Sequence, residues 1–167
     1  MSRGFVRETD QEEIPIIPPR APLPAGATNY VTANGWQQLQ KELAELEAEK
    51  QSLSADETDQ RAALTVVQVK LAQLNERIAS AQVLTPEHLN QDEVRFGARV
   101  TLKPERSSKR QVFQIVGVDE ADLKQQKISF GAPIARMLMG KRVGETAQLG
   151  TGREARRWIV EKISYDQ

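Results

Sequence analysis

Residues 36–53, WQQLQKELAELEAEKQSL, and residues 64–81, LTVVQVKLAQLNERIASA, decide how this chain folds. In the first run Trp36, Leu39, Leu43, Leu46 and Leu53 step by threes and fours, with Lys50 filling one position of the stripe. In the second, Leu64, Val67, Leu71, Leu74, Ile78 and Ala81 do the same. That spacing lines up side chains along one narrow face of a helix. Laid antiparallel, Trp36 meets Ala81, Leu39 meets Ile78, Leu43 meets Leu74 and Leu46 meets Leu71. Every pair of residue numbers adds to the same total, so one reversal near residues 58 and 59 closes both stripes within a single chain. The chain there reads Ala55-Asp56-Glu57-Thr58-Asp59-Gln60. The pattern predicts an antiparallel coiled-coil finger over residues 32–83 carrying Asp56, Glu57 and Asp59 at its tip.

Local signals refine the finger. Thr32 is a suitable cap for the first helix, expected to end near Ser52, and Gly35 weakens its first turn. Ser54 followed by Glu57 fits a capping box, which would start the second helix about one turn before the reversal that the stripes predict. Upstream, residues 1–31 hold five prolines (Pro15, Pro18, Pro19, Pro22, Pro24) without periodicity, so a loose or draped arm is expected. Ile14, Ile16 and Ile17 could dock that arm on a neighbouring surface. Downstream, residues 84–93 form a linker containing Pro86 and the only histidine, His88, which has no second imidazole to share a metal with.

From Val94 the pattern changes to period two. Val94, Phe96, Ala98, Val100 and Leu102 alternate with polar residues, as in a half-buried strand. Gln111–Val118, Ile128–Phe130, Gln148–Leu149 and Arg157–Ile163 read as further strands. A short helix is expected over Ile134–Met139, closed by Gly140. Residues 94–167 should therefore form an antiparallel β-sheet domain with one short helix, giving an α+β protein.

With 167 residues, two modest domains are accommodated. The overall charge is zero, which hides a finger of net −3 over residues 32–83 and a body of net +5 over residues 91–167. An acidic finger argues against the finger lying along a phosphate backbone, and the body's excess reads as too diffuse for a nucleic-acid patch. Without cysteine there is no disulfide frame and no thiol nucleophile. No apolar run approaches a membrane span and no signal-peptide layout opens the chain, so a cytoplasmic monomer without membrane contact is expected.

The blocks Val94-Arg-Phe-Gly-Ala-Arg-Val-Thr-Leu, Ile115-Val-Gly-Val-Asp-Glu-Ala-Asp, Ile128-Ser and Pro133-Ile-Ala-Arg-Met-Leu-Met-Gly-Lys-Arg-Val-Gly-Glu resemble the bacterial GreA/GreB transcript cleavage factors. Tyr30-Val-Thr-Ala-Asn-Gly-Trp-Gln-Gln-Leu-Gln-Lys-Glu-Leu and the exit Ala81-Gln-Val-Leu extend the resemblance through the finger. The resemblance implies an FKBP-like C-terminal domain that docks at the rim of the secondary channel of DNA-bound RNA polymerase, and a finger that threads the channel. It implies that two tip carboxylates help hold the polymerase's second magnesium ion, which activates water to cut backtracked RNA. The chain would be an accessory factor without a cofactor of its own, sharing at most the polymerase Mg2+ and meeting the nascent RNA 3′ end only indirectly. Asp119, Glu120, Asp122, Pro133, Ile134, Ala135 and Arg136 match the family's signature loops and become docking candidates, with Ile134 also suited to the core.

Two departures change what the resemblance implies. The family's tip pair is Asp-x-x-Glu, whereas Asp56 and Asp59 keep the spacing with a shorter second acid. The seam is also shorter than the family's by about eight residues per arm, which withdraws the tip by on the order of 12 Å. Since magnesium binds carboxylate at about 2.1 Å, modulation of elongation by channel occupancy becomes the leading expectation. The alternative is a true cleavage and anti-arrest factor using the tip acids, which could equally serve only a helix macrodipole. More remote are an FKBP-like peptidyl-prolyl isomerase, given Phe96, Phe113, Phe130, Trp158 and Tyr165, and a hairpin scaffold that dimerises through its seam.

Overall fold

The computed structural model describes residues 16–88 and 90–165. The expected arm is therefore seen from Ile16 onward, and Ile14 lies outside the described residues. Strand β1 (Tyr30–Val31) leads into helix α1 (Ala33–Ser52), and residues 53–60 turn the chain into helix α2 (Arg61–Ser80) and strand β2 (Gln82–Val83). Tyr30 pairs with Gln82 and Val31 with Val83, in parallel. This two-residue ladder ties the outer ends of the helices together, so α1 and α2 run antiparallel. At 20 residues each, they reach about 30 Å from that ladder.

The seam forms as its periodicity requires. Leu39, Leu46, Val67, Leu71 and Leu74 are buried together, with Trp36, Leu43, Leu53, Ile78 and Ala81 half-buried around them. The capping box expected at Ser54 does not form, because α2 begins at Arg61. Gln60 has taken Ser54 into a different arrangement: its Oε1 accepts from the Ser54 backbone N–H at 2.7 Å, while its Nε2 donates to Glu57 at 2.6 Å. Those bonds close residues 54–60 as a loop before a helical turn can start there.

The body is a five-stranded sheet, β5-β4-β3-β7-β6, built from β3 (Arg99–Pro104), β4 (Gln111–Val116), β5 (Lys127–Ser129), β6 (Thr146–Leu149) and β7 (Arg156–Ser164). Its pairings are antiparallel except at one edge, where β5 joins β4 in parallel with Gln114 beside Lys127. The crossover over residues 117–126 turns the chain back before it pairs, which a hairpin cannot do. Helix α3 (Pro133–Leu138) packs Ala135 and Leu138, both fully buried, onto the core of Val94, Val100, Leu102, Ile115, Ala147 and Val160.

The strand expected from Val94 starts later, at Arg99. Val94, Phe96 and Ala98 are buried as the alternation predicts. Gly97, at φ +87°, bends the chain there, and its N–H donates to the Ile115 carbonyl at 2.8 Å. Period-two burial thus persists through a turn that is not itself a strand.

Candidate functional site

The fingertip presents Asp56, Glu57 and Asp59, all exposed. Glu57 is engaged by Gln60, and the Arg61 Nε donates to the Ala55 carbonyl at 3.1 Å, pinning the second side of the loop. Among the described residues no three acidic or histidine side chains converge as a metal set, the three tip acids included. The tip is an exposed acidic surface.

At the other end of the finger lies a joint that sequence patterns did not expose. Arg20, on the proline-rich arm, donates to both Glu42 oxygens at 2.7 and 3.1 Å and to Asp119 at 3.0 Å. Arg77, on the buried face of α2, approaches the other Asp119 oxygen at 3.3 Å and donates to the Ala21 carbonyl. One carboxylate of the body, 9% exposed, is thereby clamped between a cation of the arm and a cation of the finger. Hydrogen bonding to Glu42, ahead of the charge of Asp119, holds the Arg20 guanidinium above its ordinary pKa, with burial opposing.

Glu120 forms the second half of the joint. It accepts from the Thr32 hydroxyl, from Asn34 Nδ2 at 2.9 Å and from Lys127 Nζ at 3.2 Å, with its residue only 6% exposed. Thr32 Oγ1 also accepts from the Gly35 N–H, so the α1 cap and the joint are one hydrogen-bonded unit. Gly35 acquires a reason here: a Cβ at that position would stand 2.8 Å from Glu120 Oε1. Above the joint, Tyr30, Phe96 and Phe130 pack ring to ring with centroids 5.9–6.5 Å apart. Those aromatic faces are spent on joining finger to sheet.

The seven docking candidates therefore divide. Pro133 and Arg136 are exposed on α3, Asp122 and Ile134 are half-buried, and Ile134 packs against the core. Asp122 caps a short 3-10 turn over Leu123–Gln125 by accepting from the Lys124 N–H at 3.0 Å, and this turn lifts Leu123 to 78% exposure. Asp119 and Glu120 point inward and are committed to the joint, so their carboxylates are not presented to a partner. Ala135 is a correction of the same kind, since its place beside Leu138 on the inner face of α3 leaves it 0% exposed. Arg20, Thr32, Asn34, Arg77 and Lys127 were missed as a group. One signal existed, a cation at Arg77 flanking the apolar stripe between Leu74 and Ile78.

Comparison with known proteins bears on what this assembly does. A family model described as "Transcription elongation factor, GreA/GreB, C-term" matches residues 89–165. The transcription elongation factor GreA of Acidiphilium cryptum is 35% identical over 135 residues, covering 71% of this chain and 86% of that protein. GreA of Hyphomonas neptunium is 39% identical over 99 residues, covering 59% of this chain and 63% of its own length. Among solved structures, the prokaryotic transcription elongation factor GreA/GreB from Nitrosomonas europaea is 19% identical, with 81% of this chain and 98% of that one covered and a TM-score of 0.42. Gfh1 of Thermus thermophilus is 24% identical, with 83% and 99% covered and a TM-score of 0.37. Among the described residues no helix is long and apolar enough to cross a membrane.

Proposed function

The chain belongs to the GreA/GreB family of transcription elongation factors, and we propose that it binds RNA polymerase at the rim of the secondary channel and modulates elongation by occupying that channel. The observation that carries this reading is the closed finger itself. It is an acidic rod about 30 Å long, with three exposed carboxylates at its tip and a buried ionic joint fixing its base to the body. Such a rod fits a narrow passage and resists bending at its root. The docking face is the accessible part of the signature loops: half-buried Asp122 and exposed Leu123 on one, exposed Pro133 and Arg136 on the other. Asp119 and Glu120 serve docking indirectly by setting the angle between that face and the finger.

The factor contributes no cofactor and is not itself the catalyst. Asp56 and Asp59 meet the polymerase's magnesium only if the body docks deeply enough to offset the short arms. The test is RNA shortening in a backtracked polymerase complex with magnesium, alongside competition against a second channel-binding factor. Occupancy predicts displacement of the competitor without shortening, unchanged in Asp56→Ala/Asp59→Ala. Fast shortening that vanishes in that double variant would replace occupancy by cleavage. Failure to bind polymerase at all would sink both.

A further inference from the structure

The body's positive charge is not diffuse once folded. Its sheet has two ends: β4 runs toward the joint, and β3 runs away from it. At the far end the β3–β4 turn and the β6–β7 turn lie side by side, because Pro104 pairs with Trp158 and the Glu105 N–H donates to the Arg157 carbonyl at 3.0 Å. Residues 104–111 and 150–157 together contain six basic side chains and two acidic ones, a net +4 of the body's +5. Between the turns is a groove of about 490 Å³, with Arg106 and Lys109 on one lip and Arg153 and Arg156 on the other.

The state of those cations matters more than their number. Arg110 is paired with Glu161 at 2.6 Å, and Arg157 is shared between Gln148 at 3.2 Å and Glu105 at 3.9 Å. Arg106, Lys109, Arg153 and Arg156 are exposed and have no side-chain partner among the described residues. Glu105, beside Arg157, and Glu154 also line the groove, so five cations against two carboxylates leave it a net +3, and an anionic occupant relieves that excess. Three of the four are arginines, whose planar fork matches phosphate oxygens in pairs.

We propose that this groove is a binding site for the phosphate backbone of duplex DNA, read without regard to sequence. Single-stranded nucleic acid is held largely by bases stacking on aromatic rings. The groove offers none, since Trp158 is 5% exposed and its Nε1 is bonded to Gln111 at 3.1 Å. What it offers is charge and rigid turns, which suits a backbone ridge. The site stands at the opposite end of the sheet from the joint, apart from the loops assigned to docking, and does not depend on that assignment.

The experiment is fluorescence anisotropy of a labelled random-sequence duplex titrated with the full chain at two salt concentrations. Four neutralised phosphates predict that affinity falls roughly fifty-fold between about 50 and about 150 mM salt. Arg153→Gln/Arg156→Gln, and separately Arg106→Gln/Lys109→Gln, should each cut the logarithmic salt slope by about two, while melting stays unchanged. Lys70→Gln on the finger should alter neither. Absence of binding at the lower salt, or wild-type binding by both double variants, would overturn the proposal. So would tighter binding of single-stranded RNA, or equal binding of a polyglutamate peptide lost in the same variants, which would make the site a dock for acidic protein.

Discussion

Tyr165 shows how much one side chain near the end of a chain can hold. Its hydroxyl donates to the Glu93 carbonyl at 2.6 Å and accepts from the Arg95 N–H at 2.9 Å, closing the end of β7 onto the segment that enters the body. Burial, partly offset by Arg95, raises its pKa above the ordinary 10.0, so the fold favours the neutral phenol. A group raised on folding contributes stability that is complete below its unfolded value and is lost as pH climbs through the folded one. Tyr165→Phe should therefore cost about 1–3 kcal/mol near neutrality by removing two hydrogen bonds. The gap between wild type and variant should then narrow above about pH 10. Denaturant midpoints measured on both proteins at neutral and alkaline pH check it, and a gap that is constant or widens with pH refutes it. Gly35 makes the complementary point. Propensity alone marks it as a weak helix residue, and the carboxylate at its back, supplied from 85 positions later in the chain, explains why the helix keeps it.

At the scale of elements, what was legible followed periodicity. The α1–α2 seam is local, repeated and apolar, so spacing alone placed nearly every buried residue. The alternation from Val94 to Leu102 placed burial correctly but not the strand start, because a glycine turn preserves inward facing while breaking the ladder. The β1–β2 ladder is two residues long, too short for any period to register, and the three-residue β5 was placed within one residue of its bounds but without its parallel pairing to β4. The joint was illegible for another reason: Arg20 and Asp119 are 99 positions apart, and a cation among prolines has no pattern pointing to a carboxylate in a β-turn. That joint predicts an asymmetry between its two partners. Asp119→Ala leaves Arg77 buried and unneutralised and should cost about 3–5 kcal/mol. Arg20→Ala leaves Asp119 still facing Arg77 and should cost less, about 1–2 kcal/mol, while freeing the arm. Thermal melting gives the order, and protease cleavage between Pro19 and Pro24 should rise in the Arg20 variant alone before global unfolding. Equal losses in the two variants would mean that the arm, not Asp119, is the centre of the clamp.

For the whole molecule the deciding quantity is reach. The finger's two 20-residue helices fix the distance from docking face to tip, and the buried joint fixes its direction. If occupancy without cleavage follows from length, restoring length should restore chemistry. One heptad inserted after Lys50 and another before Val67 extends both arms by about 10 Å while keeping every seam residue on its stripe. Because these positions face each other across the seam, the loop with Asp56, Glu57 and Asp59 moves outward intact. Reach as the limiting factor predicts that the extended protein shortens backtracked RNA where the native one does not, and that Asp56→Ala/Asp59→Ala abolishes the gain. An insertion of four residues per arm rotates the tip by about 40° relative to a whole number of turns and breaks the seam's stripe, so it should fail despite added length. Should the heptad variant bind polymerase yet leave the RNA whole, length is not what limits it. The fault would then lie in the acids, where Asp59 stands one methylene short of a glutamate, and Asp59→Glu in the extended finger becomes the variant that must act.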